Sequence, residues 1–138
     1  MTANEIAQRV FETLRHYDVG PVLSHMGRVA TGQLGEVKNI NGNTLYYQYL
    51  ACITRLLKPK QVVELGAAAG ISTIMIVTEL PKDAILYSVD NDPEAWRWVE
   101  KGYPQLSEVL GDDLDLSIYP TGCALKETDL WFIDTVHQ

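Results

Sequence analysis

The sequence predicts an α/β fold: one parallel sheet whose crossovers are helices. Three observations predict it. Short apolar runs recur at residues 61–65, 84–90, 107–110 and 129–134, edged by proline, glycine or an acid, and such brief runs read as strands buried on both faces. Stretches with helical spacing alternate with them, which implies parallel strands joined by right-handed crossovers. The first run leads into Gly66-Ala67-Ala68-Ala69-Gly70 and then into a helix, an arrangement in which backbone amides at the helix start face a ligand.

Residues 4–17 carry Ile6, Val10, Phe11 and Leu14 at helical spacing, with Asn4 placed to cap them. Residues 18–43 contain five glycines, one proline and the turn signal Asn41-Gly42-Asn43, with no sustained period. A connection of that length reads as a lid over a site or as a loose linker. A second helix is expected from Thr44, with Leu45, Tyr49, Cys52, Ile53, Leu56 and Leu57 on one face until Pro59 ends it. Its tyrosines Tyr46, Tyr47 and Tyr49 either pack or line a small-molecule pocket, packing being the commoner use.

Val62 and Val63 mark the first strand, between Pro59 and Gly66. After the turn, Ser72 or Thr73 is expected to cap a helix carrying Ile74, Met75, Val77 and Leu80, broken by Pro81 and Asp83. Ala84 to Asp90 is the second strand. Asp92-Pro93 offers a cap and a favoured first helical residue, so a helix with Trp96, Trp98 and Val99 is expected up to Gly102-Tyr103-Pro104. A third strand at Ser107–Leu110, the run Gly111-Asp112-Asp113, a helical turn or two within 114–119 and a last strand at 129–134 complete the order. The division that follows is 1–43 as an N-terminal helix with its lid or linker segment, and 44–138 as the ligand-binding half.

At 138 residues the chain is the size of one domain with a single core. The formal charge is −7, from 18 acidic and 11 basic residues with no Lys/Arg cluster, which argues against nucleic acid as the main partner. No apolar run approaches a membrane helix and no signal pattern opens the chain. Cys52 and Cys123 form neither a metal spacing nor a disulfide framework, and Cys52 reads as a core residue. His16 and His25 have no ligand-spaced partner, so no metal site is expected from them. A reducing cytoplasm fits these features.

Glu64, Gly66, Gly70, Asp90, Asp112, Asp113 and Asp134 all fall at or just beyond the carboxyl ends of strands, the edge where open α/β sheets bind ligands. A dinucleotide site would place a glycine in the middle of the Gly66–Gly70 turn, and a phosphate loop would end in Gly-Lys-Ser/Thr; neither pattern is here. Glu64 would repel a pyrophosphate but suits an ammonium or sulfonium charge. Asp90 is placed to accept hydrogen bonds from a ribose diol. Together these residues ask for an adenosine with a cationic amino-acid tail and no phosphate, which describes S-adenosylmethionine.

The run Val62-Val-Glu-Leu-Gly66-Ala-Ala-Ala-Gly70-Ile-Ser72-Thr resembles motif I of the class I S-adenosylmethionine-dependent methyltransferases, in the form found in small-molecule O-methyltransferases of the catechol and caffeoyl type. Leu86-Tyr-Ser-Val-Asp90-Asn91-Asp resembles the ribose-binding motif, Gly111-Asp112-Asp113 the loop that reaches the adenine, and Asp129-Leu-Trp-Phe-Ile-Asp134-Thr-Val-His137 the fourth-strand motif. The resemblance implies a Rossmann-like, doubly wound sheet. It also implies cofactor contacts: Glu64 with the methionine ammonium, directly or through water, Gly66, Ala67 and Gly70 with the cofactor through their backbone, and Ser72 with its carboxylate. Asp90 and Asn91 would hold the ribose, and Asp112 or Asp113 the adenine. Asp134 would stand where the metal-dependent branch has a Mg²⁺ or Ca²⁺ ligand, and His137 would be a base or substrate contact. Asp134 alone cannot build an octahedral oxygen site, so a divalent metal is not supported by this chain by itself.

The family's sheet resembles the order 3-2-1-4-5-7-6, and this chain supplies strands 1 to 4. The expectation is therefore an enzyme cut after its fourth strand, or a fourth strand that pairs with another copy in a homo-oligomer. The implied reaction is methyl transfer to a small-molecule acceptor, in the first place a hydroxyl. The alternatives are a non-catalytic S-adenosylmethionine-binding module or fragment without an acceptor site, and, more weakly, part of an NAD-type oxidoreductase.

Overall fold

In the computed structural model the described residues are 1–18, 20, 22 and 44–135. Their elements run α1 (Ala3–Leu14), α2 (Thr44–Leu57), β1 (Gln61–Leu65), α3 (Ile71–Glu79), β2 (Ile85–Asp90), β3 (Leu106–Leu110) and β4 (Leu130–Ile133), with short 3₁₀ turns at Leu116–Ile118 and Leu125–Glu127. Most of the expected 18–43 lid or linker segment, His25 included, lies outside the described residues. So does His137.

The four strands form one parallel sheet in the order β3-β2-β1-β4. This is the Rossmann-like α/β arrangement expected from the alternation of elements. β1 sits between β2 and β4, so Glu64 is in register with Ser88 on one side and Phe132 on the other. Side chains alternate across a strand, which puts Val62, Leu86, Leu130 and Phe132 on the face that packs with Leu50 of α2, Ile76 and Val77 of α3 and Leu80 just beyond it. Ile74, Met75 and Ile76 are almost completely buried, each burial contributing about 1.5–3 kcal/mol. Cys52 is fully buried, as a core residue should be.

Three local expectations are corrected. Helix α1 is capped by Thr2, not Asn4: Thr2 Oγ1 accepts from Glu5 N while Glu5 Oε2 accepts from Thr2 N, a reciprocal capping box. Helix α3 has no side-chain cap; Gly70, with φ 104°, is its N-cap, and Ser72 and Thr73 lie inside the first turn and are buried. Residues 92–100 form successive turns rather than a helix. The reason is competition for donors: the amides of Trp96 and Trp98 donate to the carbonyls of Ala68 and Ala69, at 2.8 and 3.0 Å, and Trp96 takes φ 60°. Amides spent on a neighbouring loop cannot close helical turns.

Candidate functional site

Strand ends are laced together one residue beyond the sheet. Gly66 N donates to Val89 O at 2.8 Å, Asp134 N to Leu65 O at 2.8 Å and Gly111 N to Asp90 O at 2.9 Å. Asp90 then locks the turn after β1: its Oδ2 accepts from the amides of Ala67 and Ala68, at 2.9 and 3.0 Å, and its Oδ1 from Asp92 N at 2.8 Å. Two amides expected to face a ligand are thus turned onto a carboxylate of the protein itself. The glycines have an internal reason too. A Cβ on Gly66 (φ 88°) would collide with the Asp134 carbonyl oxygen, and one on Gly70 with the Val99 side chain, so both are required by chain crossing before any ligand is considered.

Two crevices open along this edge. The larger, of ≈ 520 Å³, is walled by Asp90, Asn91, Gly111, Asp112, Asp113 and Leu114. The smaller, of ≈ 290 Å³, is walled by Tyr47, Ala67–Ala69, Ile71, Ser72, Arg97 and Trp98. Gly66, Asp90 and Asp134 line both, so the crevices meet above β1. Tyr47 lies 5.5 Å from Tyr46 in an edge-on contact. Burial first, and then the negative charges of Asp134 and Glu64, raise the Tyr47 phenol above its ordinary 10.0, so at neutral pH it remains a hydrogen-bond donor.

Glu64 belongs to the interior. It is fully buried and lines neither crevice. Its Oε1 accepts from Thr73 Oγ1 at 2.5 Å and Ser88 Oγ at 2.6 Å, and Ser88 in turn accepts from Trp96 Nε1 at 2.7 Å. Among the described residues Oε2 has no hydrogen-bond partner. Desolvation raises the carboxyl above its ordinary 4.5, opposed in part by the hydroxyls of Ser88, Thr73 and Ser72. Glu64 is expected to meet a ligand ammonium directly or through water; in this structure it holds the packing of β1, β2 and α3 against the Trp96 turn.

Of the other expected residues, Gly66, Ala67, Ser72, Asp90, Asn91, Asp112, Asp113 and Asp134 all come to the crevices. Gly70 is set back as the cap of α3. Asp112 also shapes its own loop, Oδ1 accepting from Leu114 N at 3.0 Å, and the Asp113 carbonyl accepts from Tyr119 at 2.8 Å. Sequence reasoning missed Arg97 and Trp98 as wall residues. No local signal marks them: Asp92-Pro93 favours a helix, and the turns that bring Arg97 and Trp98 to the wall depend on the distant carbonyls of Ala68 and Ala69.

A family model described as "Methyltransferase domain" matches residues 63–138, more than half of the chain. The chain belongs to this methyltransferase family. A catechol O-methyltransferase of Niastella koreensis is 30% identical over 91 residues, covering 62% of this chain and 41% of its own length. A solved structure from Klebsiella pneumoniae, assigned as an O-methyltransferase, is similar with TM-score 0.50 and 27% identity over 65% of this chain and 43% of that one. The methyltransferase domain thus spans less than half the length of either relative. Among the described residues no group of three or more His, Cys, Asp or Glu is arranged to hold a metal ion, and no helix is long and apolar enough to cross a membrane.

Proposed function

We propose that this methyltransferase domain binds S-adenosylmethionine along the paired crevices and serves methyl transfer to a small-molecule acceptor, through a hydroxyl. The observation that carries this reading is the meeting of two crevices at Gly66, Asp90 and Asp134. A long ligand with one bend fits that shape: a nucleoside over Asp90, Asn91 and Gly111–Asp113, and an amino-acid tail over Ala67–Ala69 and Ser72. Asp90 keeps lone pairs for ribose hydroxyls beyond the amides it already holds. Bound there, S-adenosylmethionine supplies an electrophilic sulfonium methyl. The protein's part is to hold the acceptor in line with that methyl, with Asp134, exposed at the junction, positioned to accept the acceptor's proton. His137 is assigned the same duty or a substrate contact.

The net charge of −7 supports a small acceptor rather than a nucleic acid, and a cytoplasmic setting is part of the same proposal. Thermal shifts with S-adenosylhomocysteine and with NAD test the cofactor: the first should stabilise the chain and the second should not. Labelled S-adenosylmethionine with a panel of phenols then tests transfer. Labelled product supports the enzyme, binding without product supports a module that holds cofactor only, and stabilisation by NAD alone contradicts both.

A further inference from the structure

The cofactor reading above lays a ligand tail over the turn after β1 and the start of α3, and leaves the α2 side of the smaller crevice unused. Tyr47, from the first turn of α2, lines that crevice together with Asp134, which follows β4. The Tyr47 ring is braced. Tyr46 lies edge-on to it at 5.5 Å and is itself 6.0 Å from the Phe132 ring of β4. The helix that carries the phenol and the strand that leads to the carboxylate are thus joined through one chain of rings. Burial is the main cause that raises the Tyr47 phenol, and Asp134 comes next, ahead of Glu64. The hydroxyl therefore lies in the field of Asp134 and keeps its proton.

A phenol that stays protonated is a donor, and an ionised carboxylate is an acceptor. Side by side in one crevice they offer a ligand atom one hydrogen bond of each kind. A hydroxyl uses both: it donates to Asp134, accepts from Tyr47, and still has a lone pair for attack. Sulfur is weak in either role. Resting on the cofactor reading, we infer that Tyr47 is a catalytic hydrogen-bond donor to the acceptor oxygen, and that the Tyr47–Asp134 pair makes the site prefer hydroxyl acceptors to thiols. As the new O–CH₃ bond forms, the S–CH₃ bond of S-adenosylmethionine breaks and its electron pair stays on sulfur. The hydroxyl proton passes to Asp134. Tyr47 gives up no proton; it donates to the oxygen as negative charge collects there.

The test uses the whole chain with phenol and benzenethiol as acceptors and labelled S-adenosylmethionine as donor, beside calorimetry with S-adenosylhomocysteine. Wild type should methylate phenol. Tyr47→Phe keeps the ring and should lower kcat/KM for phenol about ten- to hundredfold, chiefly in kcat, the effect of one hydrogen bond to a charged group. Transfer to benzenethiol and affinity for S-adenosylhomocysteine should be unchanged. Tyr46→Phe, which keeps the brace, should leave both rates as they are. A fall in S-adenosylhomocysteine affinity that matches the loss of transfer would put Tyr47 against the cofactor and overturns the inference. An equal loss for both acceptors, or undiminished transfer to phenol, overturns it too. Wild type that binds S-adenosylhomocysteine yet never methylates phenol overturns the inference with the cofactor reading intact, and absence of binding removes both.

Discussion

The two faces of the sheet are covered by different kinds of chain. On one, Val62, Leu86, Leu130 and Phe132 pack beneath α2 and α3. On the other, Val63, Tyr87, Val89 and Val109 are buried, and the stretch near Tyr87 is irregular chain: its hydroxyl lies beside Gly122, and Gln61 Nε2 reaches the Ala124 carbonyl at 2.8 Å. That second cover stops short of β4, where Trp131 and Ile133 are 44% and 63% exposed. The helical face is finished but encloses a polar group, Glu64, with an oxygen that has no partner among the described residues. Among the described residues the other face shows no such defect, and it leaves Trp131 and Ile133 bare. The difference teaches where constraint is concentrated: at the helical face and the strand ends above it, which also carry the crevices.

The largest effect expected from breaking this comparison is at Gly66. Gly66→Ala combines a positive φ with a collision against the Asp134 carbonyl, and should cost about 3 kcal/mol or more in urea unfolding. A mild loss would mean that β4 is not held at its carboxyl end as described.

Next comes Glu64. Its pKa is raised above 4.5, mainly by desolvation, so the folded chain retains a proton over a window where the unfolded chain has released it. The contribution to stability is then greatest below that window and is lost as pH rises through it. Glu64→Gln should flatten the fall of the urea midpoint as pH rises above the ordinary carboxyl range; an unchanged slope would place the titration elsewhere.

A smaller loss is expected at the outer rim of the helical face. Arg55 joins α2 to α3 through two 2.8 Å hydrogen bonds to Glu79 and lies 5.2 Å from the Tyr17 ring. Because Arg55 is half exposed, Arg55→Ala should cost about 1 kcal/mol or less. The smallest effect belongs to the bare face: Trp131→Lys with Ile133→Lys should change stability by about 0.5 kcal/mol at most. Light scattering should show less concentration-dependent association, since charge on an edge strand opposes pairing. A large destabilisation would reveal a cover over β4.

Much of the helical face was legible in the sequence because it is periodic. Val62–Val63, the Ile74–Val77 run and the α2 stripe follow spacings that burial imposes, and the order of strands alone puts Asp90, Asp112, Asp113 and Asp134 at one edge. Residues 92–100 were not legible, since Asp92-Pro93 favours a helix locally and only the carbonyls of Ala68 and Ala69 divert its amides. Nor was the duty of Glu64: a charge near a strand end reads as ligand-facing, whereas register with Ser88 and reach from Thr73 turn it inward. Both depend on contacts distant in the chain, which no local pattern encodes.

The claim that an elongated nucleoside ligand lies over the junction of the two crevices is most directly tested by an amide NMR titration with S-adenosylhomocysteine. The shifts predicted are at Gly66, Asn91 and Gly111–Asp113, extending to Ala69 and Ile71, with Trp131 and Ile133 unmoved. Shifts confined to the β4 face, or none at saturating ligand, would contradict it.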